Sequence, residues 1–215
     1  MLVDSGPDLR EQALRENLTK VDAVLYTHAH LDHITGFDEL RAFCWRRDSP
    51  LPLYGSEECL EEIKRMFSWA FLPTNTYKGY VKPDPQVTNG PFQLGKLTVT
   101  PIPVIHGSVP TQGYRFDYPG TPGIAYLPDV KTIPEASWKM IADIPILIID
   151  TLHRREHPTH MNFTEALATS SKLGAKKTYL THLSHELDPR EAASELPTNT
   201  SFAHDGLKLT FPVDA

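Results

Sequence analysis

The sequence of 215 residues lacks the features that mark several large protein classes. It has only two cysteines, Cys44 and Cys59, each in a stretch with helical spacing. No disulfide framework is expected, and a reducing cytoplasm suits such usage. Long apolar runs are missing too. The longest, Ile144–Ile149, is interrupted by Pro145 and falls far short of the ~20 residues that span a bilayer. Met1–Pro7 shows neither a basic nor an apolar leader pattern, so no signal peptide is read there. Positive charge is scarce, with 21 Lys+Arg against 27 Asp+Glu and a net charge of −6. That balance removes the electrostatic drive for non-specific nucleic-acid or membrane-surface binding. The expected partner is therefore a small molecule, with no nucleic acid and no membrane.

What is present describes a folded domain. Hydrophobic residues make up 40% and charged residues 22%, ordinary values for a packed core. A chain of this length buries roughly 70% of its unfolded surface, so it needs no staples. One domain over residues 1–215 is expected. Two counts stand out, 19 prolines and 10 histidines.

Read along the chain, short apolar strands alternate with helical patterns. Strands are predicted at 2–3, 21–26, 51–54, 86–87, 97–105, 114–118, 123–127, 146–149, 177–180 and 207–211. Helices are predicted at 8–18 (Leu9, Ala13, Leu14 and Leu18 at helical spacing), 35–47, 56–69, 134–142, 162–173 and 189–195. Ser56 opens one helix and Gly174 stops another. Residues 71–85 break every periodicity with three prolines and read as a long aromatic loop, the kind that serves as a lid. The polar chemistry falls repeatedly at strand ends, where α/β scaffolds present ligand-binding loops.

The most informative segment is His28-x-His30-x-Asp32-His33, directly after an apolar strand. Four metal-competent side chains on one tight loop can serve two neighbouring points, because alternate residues of an extended segment diverge. The competing reading is a polar surface loop with chance histidines, but clustered His and Asp usually need a partner.

This motif after a strand resembles the signature of the metallo-β-lactamase superfamily, and further elements follow in order. Asp4 is similar to the aspartate that buttresses the histidine loop. His106, Asp129 and His182 match the later ligands, each near a strand C-terminus. Other segments resemble the PhnP-type branch, the phosphoribosyl 1,2-cyclic phosphate phosphodiesterases. These include Val3-Asp4-Ser5-Gly6-Pro7-Asp8-Leu9, His106-Gly107, His160 with Glu165-Ala166, and Thr181-His182-Leu183-Ser184-His185. The resemblance implies an αββα four-layer sandwich, truncated at its N-terminal strands. The branch begins with a glycine-rich strand-turn and three cysteines that bind a structural zinc with the residue matching His185. This chain starts after them, so no cysteine-containing zinc site is expected. An open sheet edge would remain, which invites a homodimer or strand exchange.

The same resemblance implies two divalent cations. One would take His28, His30 and His106, the other Asp32, His33 and His182, with Asp129 bridging. That donor set suits Zn²⁺, while Mn²⁺ or Fe²⁺ also fits the harder position. The implied reaction is phosphodiester hydrolysis of a small or cyclic phosphate ester by attack of a metal-bridging hydroxide. Asp32 and His160 are the catalytic candidates, His160 as proton donor to the leaving alkoxide. The alternative for His160 is an ordinary histidine at a helix start. His153, His157, Arg154 and Arg155 either line the pocket or form a solvated loop. Arg154, Arg155 and Arg115 are the visible candidates for a second anionic group, and His204 is a weaker competitor to His182. Two other functions use the same residues: hydrolysis of a thioester or lactone, and a catalytically impaired metal-binding module.

Overall fold

The computed structural model describes residues 1–45 and 47–211. They form two compact units that divide between Asn89 and Gly90. Among the described residues, no helix is long and apolar enough to cross a membrane.

The first unit is built on a parallel sheet of four strands. Its elements are β1 (Leu2–Val3), α1 (Leu9–Arg15), β2 (Val24–Leu25), α2 (Leu31–Ile34), a 3₁₀ turn (Phe37–Leu40), α3 (Arg41–Cys44), β3 (Leu51–Gly55), α4 (Glu57–Met66), α5 (Ser68–Phe71) and β4 (Pro83–Val87). The strand order is β1-β2-β3-β4, with Leu2 opposite Val24, Val24 opposite Leu53, and Leu51 opposite Pro83. Val24, Leu25, Leu51 and Leu53 are wholly buried, as strands covered on both faces require. Ile34, Phe37, Leu40, Leu60 and Ile63 pack in the same core.

Two expected helices are broken here, each for a local reason. The stretch 35–47 divides because Gly36 turns its amide to Ser5 O at 2.8 Å. A Cβ on Gly36 would also collide with the Gly6 carbonyl oxygen. That backbone approach replaces helix propagation with a 3₁₀ turn, and Arg46 of the predicted span lies outside the described residues. The 56–69 helix keeps its predicted start, since the Ser56 hydroxyl accepts the Cys59 amide at 3.2 Å. Glu57 and Glu58 in its first turn and Lys64 and Arg65 in its last complement the helix dipole. It breaks at Phe67, whose backbone leaves the helical region and whose ring stacks on Phe37 at 4.4 Å. Strand β4 begins earlier than expected, at Pro83. Its two prolines, Pro83 and Pro85, are tolerated because β4 is an edge.

The second unit carries a seven-stranded mixed sheet. Its elements are β5 (Phe92–Leu94), β6 (Leu97–His106), β7 (Val109–Asp117), β8 (Ile124–Leu127), α6 (Glu135–Ile141), β9 (Ile146–Asp150), α7 (Phe163–Leu173), β10 (Lys177–Thr181), α8 (Pro189–Ala192) with a 3₁₀ extension, and β11 (Thr200–Phe202). The order is β11-β10-β9-β8-β7-β6-β5. Strand β7 runs antiparallel to both β6 and β8, and β8 through β11 are mutually parallel. Strands β6, β8, β9 and β10 therefore all point the same way and end at one edge of the sheet. Helix α7 is set by a capping box: Asn162 Oδ1 accepts the Glu165 amide and Glu165 Oε2 accepts the Asn162 amide, both at 2.9 Å. Gly174 closes it in the left-handed conformation, φ 68°.

The last strand lies elsewhere than predicted. Residues 207–211 alternate apolar and polar, yet join no ladder among the described residues. The strand beside β10 is Thr200–Phe202, with Thr178 opposite Thr200. A turn closed by Thr200 N to Pro197 O at 2.9 Å, with Asn199 Nδ2 on Ala175 O at 3.1 Å, delivers the chain to that edge.

Candidate functional site

In the first unit the His28–His33 segment is held from behind by Asp4 and Thr27. Asp4 follows β1 in the left-handed region, φ 57°, a conformation rare for any residue with a Cβ. Its carboxylate accepts the Thr27 amide at 2.8 Å, the Thr27 hydroxyl at 2.9 Å and His33 Nδ1–H at 2.8 Å. Burial pushes the Asp4 carboxyl up, against the opposing pull of His33 and Thr27. Because the Thr27 hydroxyl gives its proton to Asp4, its lone pair accepts His28 Nδ1–H at 3.0 Å. Both rings are thereby set with the proton on Nδ1 and the lone pair on Nε2. His28 Nε2 lies 2.9 Å from His30 Nδ1, and His33 Nε2 lies 3.6 Å from Asp32 Oδ2. His28 and His33 are buried, whereas His30 and Asp32 are exposed. The residues of this set change from extended backbone at His30 to the first turn of α2 at Asp32 and His33.

The second unit gathers its polar groups from four strand ends. His106 closes β6, Asp129 follows β8, Asp150 closes β9 and His182 follows β10. His182, like Asp4, is left-handed, φ 59°. His160 joins them from the segment before α7. The ligand atoms of His106, Asp129 and His160 lie within 4.8 Å of one another, as do those of Asp150, His160 and His182. His160 Nδ1 lies 2.7 Å from Asp150 Oδ2, which also accepts the Val130 amide at 3.0 Å. His182 Nε2 is 3.4 Å from Asp129 Oδ1, and the His160 and His182 rings stack at 4.9 Å. His106 Nδ1 donates to the Thr159 carbonyl at 2.8 Å, leaving Nε2 as its lone pair.

This donor set fits cations. Asp129 and Asp150 are 1% and 0% exposed, and burial pushes the Asp150 carboxyl up against the opposing pull of His160. Two buried carboxylates gathered in one place carry a desolvation cost that a bound cation would offset.

Two residues that hold this chemistry escaped the sequence reading. Thr27 sets the His28 tautomer, and Asp150 orients His160. A signal existed for each: threonine precedes histidine at both strand ends, Thr27-His28 and Thr181-His182, and β9 ends in a carboxylate. The three arginines that were candidates for a second anion each pair with a carboxylate. Arg154 pairs with Glu195 at 2.6 Å, Arg155 with Glu186 at 2.6 Å and Arg115 with Asp117 at 2.8 Å. His185 and His204 are exposed, and it is His182 that joins the cluster. Cys44 and Cys59 are buried in the first unit's core, where burial pushes both thiols up.

Known proteins bear out the fold. A solved diphosphatase of the PhnP family is 38% identical, with a TM-score of 0.86 over 99% of this chain and 80% of that one. An octanoyltransferase of Porphyromonas gingivalis is 35% identical over 97% of this chain. This chain spans only 42% of that protein's length. A ribonuclease Z of Methanopyrus kandleri is 27% identical, covering 97% of this chain and 86% of its own length. The family profile for the beta-lactamase superfamily domain matches residues 1–183. The protein has the metallo-β-lactamase fold and belongs to the beta-lactamase superfamily domain family.

Proposed function

We propose that this chain is a metal-dependent hydrolase of small phosphorylated molecules, cleaving a phosphodiester, cyclic or open, or a diphosphate ester. One observation carries the reading. His28, His33 and His106 each give Nδ1–H to an oxygen of the fold (Thr27 Oγ1, Asp4 Oδ2 and Thr159 O) and keep Nε2 as a lone pair. That is the arrangement in which outer hydrogen bonds prepare imidazoles for a metal. The ligands in this proposal are His28, His30, Asp32 and His33 from the first unit and His106, Asp129 and His182 from the second. Divalent cations bound there, Zn²⁺ by donor type, would acidify water and stabilise charge on a phosphoryl oxygen.

The chain's own residues supply the rest. Asp150 accepts His160 Nδ1–H at 2.7 Å and so fixes the orientation of the ring. His160 can then give the proton on Nε2 to the departing oxygen. The exposed Asp32 carboxylate is open to the attacking water.

Elemental analysis with a substrate panel tests this. About two metal equivalents per chain, with phosphoester turnover lost to a chelator, are expected. Turnover confined to thioesters or lactones would overturn the substrate assignment, and substoichiometric metal with no turnover would favour a binding module. The ribonuclease Z relative supports a second reading, cleavage of an RNA phosphodiester. A net charge of −6 offers little to a polyanion, and a precursor tRNA in the panel separates the two.

A further inference from the structure

The second unit holds a histidine whose ring is wired in the opposite sense to its neighbours. His106, His153 and His160 each turn Nδ1 to an oxygen: the Thr159 carbonyl at 2.8 Å, the Arg155 carbonyl at 3.0 Å and the Asp150 carboxylate at 2.7 Å. Such acceptors require a proton on Nδ1, so in the neutral form of any of these rings the lone pair is on Nε2. His157 is reversed. Its Nδ1 faces the Thr159 amide nitrogen at 3.3 Å and the Thr159 hydroxyl at 3.2 Å. An amide N–H can only donate, so His157 Nδ1 is the acceptor and the proton sits on Nε2.

One residue therefore sets two tautomers, since Thr159 donates to His157 through its nitrogen and accepts from His106 through its oxygen. Its position is tightly held: a Cβ on Gly107, itself at φ 60°, would lie 2.7 Å from Thr159 Cγ2. His157 Nε2–H has no hydrogen-bond partner among the described residues and is not among the buried unsatisfied atoms, so it opens to solvent. Partial burial and the neighbouring His160, His153, Lys131 and Arg155 hold the ring's pKa below that of a free histidine, which keeps it neutral near pH 7.

Position and charge then define what this donor meets. The His157 ring lies 5.0 Å from His160, which lies 4.5 Å from His106 and 4.9 Å from His182. His157 is thus one ring further out than the proton donor. The nearby cations are already engaged: Lys131 with both Glu165 oxygens at 2.7 and 2.8 Å, Arg154 with Glu195 and Arg155 with Glu186.

We propose that His157 is a specificity-determining residue, donating Nε2–H to a phosphoryl oxygen of the leaving group, one group beyond the scissile bond of a diphosphate ester. The inference rests on the phosphoester reading above. A fixed neutral donor rewards a substrate that carries the acceptor and leaves one lacking it with an unfilled contact.

Two measurements test it. Long-range ¹H–¹⁵N spectra of the full chain should show His157 as the Nε2–H tautomer and His106 and His153 as Nδ1–H. A proton on His157 Nδ1 would overturn the proposal. The second compares ADP with AMP as ligands of the metal-loaded protein, by calorimetry and as inhibitors of bis-p-nitrophenyl phosphate hydrolysis. His157→Ala should weaken ADP relative to AMP by about tenfold, the loss of one hydrogen bond to a charged oxygen. His157→Gln, whose amide N–H reaches the Nε2 position, should restore most of that ratio, and His204→Ala, in an exposed turn, should leave it at the wild-type value. Equal weakening of both nucleotides, glutamine no better than alanine, or the same shift in His204→Ala would each sink the inference. Absence of wild-type turnover would instead count against the phosphoester reading, while the spectra and calorimetry still decide the role of His157.

Discussion

The two units assemble their candidate ligands by opposite routes. In the first, four of them lie within six consecutive positions, and one buried pair, Asp4 and Thr27, orients the set. In the second, His106, Asp129 and His182 are far apart in sequence and meet because β6, β8 and β10 point to one sheet edge. The two histidines have separate supports, the Thr159 carbonyl for His106 and Asp150 near His182. The first unit concentrates its dependence on one carboxylate, whereas the second spreads it over several strand ends.

The contrast can be broken most severely at Asp4. Asp4→Ala leaves His33, the Thr27 amide and the Thr27 hydroxyl without their acceptor in a buried site. A loss of about 3 kcal/mol of stability is expected, in the range for removing one partner of a buried charged network. Metal retention should fall with it. Urea unfolding and elemental analysis would show both, and a loss below 1 kcal/mol would mean that Asp4 is not the keystone of that unit. At Asp150 the expected damage is chemical. Asp150→Asn keeps the shape but weakens the hold on His160 Nδ1–H, so kcat should fall about 10- to 100-fold, as for other outer partners of site histidines. KM should change little, and a pure KM effect would refute the orienting role.

Thr27→Val sharpens the comparison from the other side. It removes the hydroxyl between Asp4 and His28 while keeping the amide bond to Asp4. An expected cost of about 1–2 kcal/mol and weaker metal retention would be read by the same two measurements. The smallest effect is at the Lys131–Glu165 pair, part of the α7 start. Burial alone would raise the Glu165 carboxyl, but Lys131 and the Asn162 amide hold it below its ordinary value. A depressed carboxyl contributes stability that is present above its unfolded pKa of about 4.3 and is lost as pH falls through the lower folded value. Both groups are partly exposed, 24% and 38%, so Lys131→Met should cost only about 0.5 kcal/mol at pH 7. That difference should fade below pH 4 in unfolding curves taken at both pH values.

Much of this was legible in the sequence for identifiable reasons. The His28–His33 motif is contiguous, so its chemistry shows without a fold. The apolar runs ending at His106, Asp150 and Thr181 announced strand ends, and Asn162 with Gly174 bracketed α7. Where reading failed, distant partners had decided. The 35–47 helix broke because Gly36 meets Gly6 from another segment, and the alternation at 207–211 gave way to Thr200–Phe202, which the Pro197 turn delivers to β10. Thr27 and Asp150 passed unnoticed because hydrogen bonds to residues 23 and 10 positions away leave no local pattern.

Amino-acid identity alone determined which groups can bind a cation or carry a proton, since imidazole and carboxylate chemistry belongs to the residue wherever it sits. It also determined the alternation of strand and helix, because apolar periodicity is local. Only the tertiary structure decided which nitrogen of each ring keeps its lone pair. His106 and His157 are the same residue type, yet the carbonyl and the amide of Thr159 give them opposite tautomers, because a proton's place on an imidazole is set by what faces it across space.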